Sequence, residues 1–212
     1  MIKYKLFDFC QNVIDHYGAK IAYKDKSKFM KFLSYILFFN KKFMTDFVTT
    51  IGSTVYFPTV KFEPDLNTIR VLAHELVHIR DRKSLFIPGL FEFLYLFPQI
   101  LGILSLLAVF NLWFLLCLLF LLPWPAPGRS TLEARAYSMS VYFDYLYLVD
   151  NAEQNIEYYS KLFVGPEYYY MSWSKYYTKA KIRKYFYDLP VKDLLFVQVR
   201  NWINKGDING FN

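Results

Sequence analysis

The first 45 residues carry apolar side chains at helical spacing. Phe7, Val13 and Ile14, then Phe29, Phe32, Leu33, Ile36 and Leu37, recur with lysines on the other faces, which predicts amphipathic helices. The apolar stretch at residues 29–39 falls short of the roughly 20 residues that a membrane span needs, so it is expected to pack on the domain. Residues 49–57, TTIGSTVYF, change character. β-Branched and aromatic residues around Gly52-Ser53 predict a strand pair or a bulged strand. Pro58 and Pro64 punctuate a short connection, after which Asp65 or Asn67 can cap a helix over residues 66–83.

Residues 85–128 contain no Lys, Arg or Asp, and Glu92 is their sole charge. Within them, residues 100–122 include 17 Leu, Ile, Val or Phe, worth roughly −5 to −10 kcal/mol on an insertion scale and ample for a transmembrane span. Residues 85–98 are weaker, because Glu92 would cost about 2.5 kcal/mol or more at the bilayer centre and Pro88 and Pro98 interrupt them. Pro123-Trp124-Pro125-Ala126-Pro127-Gly128 reads as a rigid exit with an interfacial Trp. Beyond it, Ser130 or Thr131 can cap a helix from residue 132 to about 149. A second helical stretch, a Tyr-rich region at 158–187 and a last amphipathic helix from about 191 to 204, ending at Gly206, complete the pattern.

Composition sharpens this picture. The chain of 212 residues is 55% hydrophobic and 21% aromatic, with a net charge of +7. The positive charges are dispersed and no nucleic-acid-binding motif stands out, so no nucleic-acid partner is expected; an anionic membrane surface accounts for the charge as well. Two cysteines, Cys10 and Cys117, do not make a disulfide framework. The N-terminus lacks an uninterrupted apolar core and a small-residue cleavage site, so a cleaved signal peptide is not expected.

Candidate chemistry centres on His74-Glu75-Leu76-Val77-His78 in a chain with only three histidines. On a helix, residues four apart share a face, so both imidazoles can reach one metal ion while Glu75 addresses a water on it. That is the HExxH arrangement of two zinc ligands and a general base. Two solvated histidines on a surface helix are the bland alternative. A catalytic zinc needs a third protein ligand. His16 lies far upstream, which favours a carboxylate; Glu133, at the start of the predicted 132–149 helix and next to the slim Ala134 and Ala136, is preferred over Glu153, Glu157, Glu167 and Glu63. If Glu133 and His78 hold one ion, the apolar segment between them must begin and end on one side of the membrane, because a single crossing would separate them by about 30 Å of hydrocarbon. Two crossings or a re-entrant hairpin satisfy this, with a turn near residues 102–105. Arg80, Arg82 and Lys83 before the segment and Arg129 and Arg135 after it put both ends on the cytoplasmic side.

HELVH on a helix, followed by a glutamate on a later helix, resembles the gluzincin metallopeptidases. The apolar insertion between them is similar to the membrane-embedded HtpX and CAAX-prenyl-protease type. The resemblance covers roughly residues 47–140, and it implies His74, His78 and Glu133 as zinc ligands and Glu75 as base. That type usually carries two further spans before the metal helix, which are not found in this sequence, and tends to carry an Asp four residues after the ligand glutamate, where Tyr137 stands. Asp81 or Asp144 is then the candidate partner of a ligand histidine, and a Tyr of the 158–170 group or an Arg the candidate oxyanion donor. The expected fold is mainly α with a small β element (α+β), a zincin-like domain with an inserted transmembrane or re-entrant hairpin. Its expected parts are residues 1–84 with the HExxH helix, the membrane-inserted 85–128, and the helical 129–212. The expected function is zinc-dependent hydrolysis of a protein or peptide substrate at a lipid membrane. The rival is a non-catalytic, membrane-anchored interaction protein with a degenerate or structural metal site.

Overall fold

A computed structural model of the chain describes residues 14–36, 41–58, 65–147, 151–168 and 170–208. These are mainly helical, with one small mixed sheet. They divide into two compact units, residues 1–83 with 198–212, and residues 84–197.

In the first unit, β1 (Lys20–Tyr23) and α1 (Lys28–Ile36) precede a hairpin of β2 (Thr49–Ile51) and β3 (Thr54–Phe57). β3 is central, antiparallel to β2 and parallel to β1. Gly52 has φ of 64° in the two-residue turn, a left-handed conformation that glycine adopts without strain. β1 corrects the expectation of helix throughout residues 1–45: IAY is a short β-branched and aromatic run whose pairing with β3 outweighs local spacing. α1 also departs from expectation. Met30 is buried, but Phe29, Phe32, Tyr35 and Ile36 are exposed, so the helix does not pack its apolar residues as predicted. Residues 1–13 and 37–40, which carry the rest of that reading, lie outside the described residues. α2 (Leu66–Ser84) is the metal-motif helix, with Ile69, Leu72, Leu76, Val77 and Ile79 in the core.

The second unit is built around α4 (Pro127–Tyr147), which packs against α3 (Leu90–Leu96), α5 (Ala152–Phe163) and α6 (Lys175–Lys192). α4 begins five residues earlier than the 132 start predicted, since Pro is favoured in the first helical turn. Ser130, Thr131 and Glu133 therefore sit inside it. Asn151 and Ser174 cap α5 and α6 by accepting from the amides of Glu153 and Tyr177, which divides the Tyr-rich region between two helices. α7 (Leu194–Ile208) starts later than expected, behind Asp193, and runs past Gly206.

The apolar segment folds as α3 and two 3₁₀ segments, Gln99–Val109 and Leu112–Leu121, packed on one another. No single helix among the described residues is long and apolar enough to cross a membrane. α3 and Gln99–Val109 reach that length and composition together, but they are bent by 91°. The continuous 100–122 run is broken at Phe110-Asn111, not at 102–105: Asn111 caps the second segment by accepting from the Trp113 amide, while Gly102 is buried against Leu121. Leu106, Val109, Phe110, Leu112 and Trp113 are all more than 70% exposed.

Lys24 is fully buried. Its ammonium donates to the Phe43 and Phe47 carbonyls at 2.6 and 2.8 Å. Burial pulls its pKa down to about 8, against the pull of the Glu75 carboxylate. The unfolded chain binds this proton more tightly, so the cost of the buried charge is fully present below about pH 8 and is relieved as pH rises toward 10.5. Thermal melts in detergent should show the wild type gaining on Lys24→Met, by up to about 3 kcal/mol, across that window; a constant gap would contradict a buried charged lysine.

Candidate metal centre

α2 brings the motif together. Asp65 caps it, accepting from the Thr68 amide at 2.7 Å, and hydrogen bonds from the Thr68 side chain first and its amide second hold the Asp65 carboxyl below its ordinary pKa. The cap falls on Asp65 rather than Asn67. One turn apart on this helix, the His74 and His78 rings lie edge to face with centroids 5.1 Å apart. His74, Glu75, His78 and Asp81 are exposed by only 9, 9, 5 and 2%. Four buried polar side chains in two helical turns are expensive unless each has a partner. Glu75 has one in Thr50 of β2, whose hydroxyl donates to Oε2 at 2.7 Å. Asp81 accepts from Arg80 at 2.6 and 3.0 Å. Asp144, the other expected partner of a histidine, is buried in α4.

Glu133 is 3% exposed on α4. The Tyr95 hydroxyl of α3 donates to its Oε1 at 2.5 Å. Arg129, one turn before Glu133, places its guanidinium carbon 5.1 Å from the centre of the Tyr95 ring. Burial works against the Arg129 charge, but Tyr95 and Glu133 outweigh it and leave its pKa above the ordinary guanidinium value. Tyr137, one turn after Glu133, meets the Tyr168 hydroxyl. Burial first, then the neighbouring Tyr168 and Glu133, hold its phenol well above the usual range. The position where the HtpX and CAAX type carries a carboxylate is thus a buried phenol pair.

One ligand atom from each of His74, His78 and Glu133 lies within 4.8 Å of the others. Two imidazoles and a carboxylate are also a donor set that zinc accepts. The residues present therefore fit a metal ion. The less favoured carboxylates are engaged elsewhere: Glu153 with Arg183, and Glu157 with Lys175 and Lys179, in surface ion pairs. Glu63 and the Glu167 side chain lie outside the described residues.

No family model, curated protein or solved structure matches this chain. The likeness to the HtpX and CAAX type accordingly rests on the motif and the order of elements. Sequence reasoning missed Thr50 and Tyr95. Thr50 carries no signal, being one β-branched residue among several. Tyr95 carries one: it is the sole tyrosine in residues 85–128, and a polar group in an apolar run asks for a partner. Tyr168, from the expected oxyanion group, has its hydroxyl on Tyr137.

Proposed function

We propose that this chain is a membrane-associated zinc metalloendopeptidase, with His74, His78 and Glu133 as ligands and Glu75 as general base. The observation that carries this reading is the convergence of His74 and His78, on the helix that also buries Glu75, with Glu133 of α4, one ligand atom of each lying within 4.8 Å of the others. A zinc ion held there would lower the pKa of a water and polarise the scissile carbonyl. Glu75, one of its carboxylate oxygens tethered by Thr50, has the other to take a proton from the attacking water. It returns that proton to the amine as the C–N bond breaks. β2 is an edge strand of the described sheet, so it offers main-chain groups to an extended peptide beside this carboxylate.

Membrane association rests on the exposed apolar hairpin. A surface of Leu, Phe, Val and Trp this extensive is unfavourable in water and favourable in lipid. At about 2.0 Å per residue, the 11- and 10-residue 3₁₀ segments rise about 22 and 20 Å, short of the roughly 30 Å hydrocarbon core. This favours a re-entrant hairpin over two crossings, with both ends on the cytoplasmic side as the flanking Arg and Lys imply.

Glu75→Gln should keep zinc bound while cleavage of a co-expressed membrane substrate falls by about 100- to 10,000-fold. Unchanged biological activity in that variant would favour the non-catalytic rival. Single cysteines replacing Lys83 and Pro127, in a chain with Cys10→Ser and Cys117→Ser, should label from the cytosolic face, and one replacing Asn111 from neither face. Labelling of the Asn111 position from the opposite face would mean two crossings, and labelling of positions 83 and 127 from opposite faces would exclude Glu133 as a ligand.

A further inference from the structure

Resting on the reading of Glu133 as a metal ligand, we propose that Tyr95 is a positioning residue for that carboxylate: the apolar helix α3 lends its one hydroxyl to fix how Glu133 faces the metal. The 2.5 Å bond from Tyr95 to Glu133 Oε1 is made by a half-buried phenol to a carboxylate that is itself buried, where a charge-assisted bond is strong and an unmade one costly. It ties one carboxylate oxygen to α3, which constrains the Glu133 rotamer before any ion arrives. Hydrogen bonds of this kind to ligating carboxylates orient them, and their loss costs roughly 10- to 100-fold in metal affinity.

The phenol is itself held from three sides. Arg129 lies over the Tyr95 ring, and Phe91 stacks on it with centroids 6.0 Å apart. Gly128 closes the third: a Cβ there would stand 2.4 Å from the Leu94 carbonyl oxygen, so the backbones of α3 and α4 meet at a distance only glycine allows. The approach brings Tyr95, the residue after Leu94, onto Glu133, five residues after Gly128. Since α3 leads into the exposed apolar hairpin, the seating of that hairpin and the orientation of Glu133 are mechanically joined.

The test is Tyr95→Phe in the full chain, purified in detergent, with zinc affinity measured by chelator competition beside that of wild type and Glu133→Ala. Tyr95→Phe keeps the ring and the packing, so the metal-free protein should still fold cooperatively, with a melting temperature lowered by the loss of one hydrogen bond to a buried carboxylate. Its zinc affinity should fall about 10- to 100-fold, and saturating zinc should restore turnover to within about threefold. Gly128→Ala, reaching the same contact through the backbone, should weaken zinc in the same direction. Zinc affinity of Tyr95→Phe within about twofold of wild type, while Glu133→Ala loses zinc, would overturn the role of Tyr95 alone. The same unchanged affinity with turnover lost at saturating zinc would move the hydroxyl to the reacting carbonyl, and would also overturn positioning. Undiminished zinc binding in Glu133→Ala would overturn the ligand assignment and this inference with it.

Discussion

Imidazole and carboxylate groups removed from water must be compensated where they are buried, and that requirement organises this protein. His74, Glu75, His78 and Asp81 lie within 9% exposure on one helix, and Glu133 within 3% on another. Burying such groups without partners costs several kcal/mol each, a large fraction of the stability of an ordinary domain. Thr50 answers for Glu75 and Tyr95 for Glu133. A cation shared by His74, His78 and Glu133 would answer for the centre of the cluster, turning the electrostatic cost of the carboxylate into binding energy.

The second constraint is hydrophobic. Residues 85–128 join α2 to α4 and hold almost nothing that water solvates. On the proposed reading, a chain that returns its two ends to one aqueous face with segments of about 20 Å would turn within the bilayer. Backbone groups in lipid would have to be bonded internally, and the helical ladders and the Asn111 cap offer such bonds. Both constraints meet at α3, where one tyrosine in an apolar run reaches a buried carboxylate. On the proposed reading the same helix would serve both the membrane and the site.

How much of this was legible depended on the range of the interaction that decides each feature. The metal helix, its Asp65 cap and the hairpin around Gly52 are local, and the residues announce them. The histidine spacing follows from helical periodicity alone, and Glu133 from the chemistry of a third ligand. β1 was not legible, because its strand state depends on pairing with β3 some 34 positions on, between Lys20 and Thr54. The early start of α4 was hidden by Pro127, which suits a helix opening as well as a loop. The break at Asn111 was hidden because one polar residue among leucines gives little periodic signal. Thr50 and Tyr95 were hidden for a deeper reason: a hydroxyl becomes meaningful only through the carboxylate that folding brings to it.

The central claim is that His74, His78 and Glu133 share one zinc ion. It is tested most directly by anomalous scattering across the zinc absorption edge from crystals of the full chain. The account predicts a single strong peak about 2 Å from an imidazole nitrogen of each histidine and from a carboxylate oxygen of Glu133. A zinc-loaded protein whose anomalous peak lies elsewhere, or touches the histidines without Glu133, would contradict it.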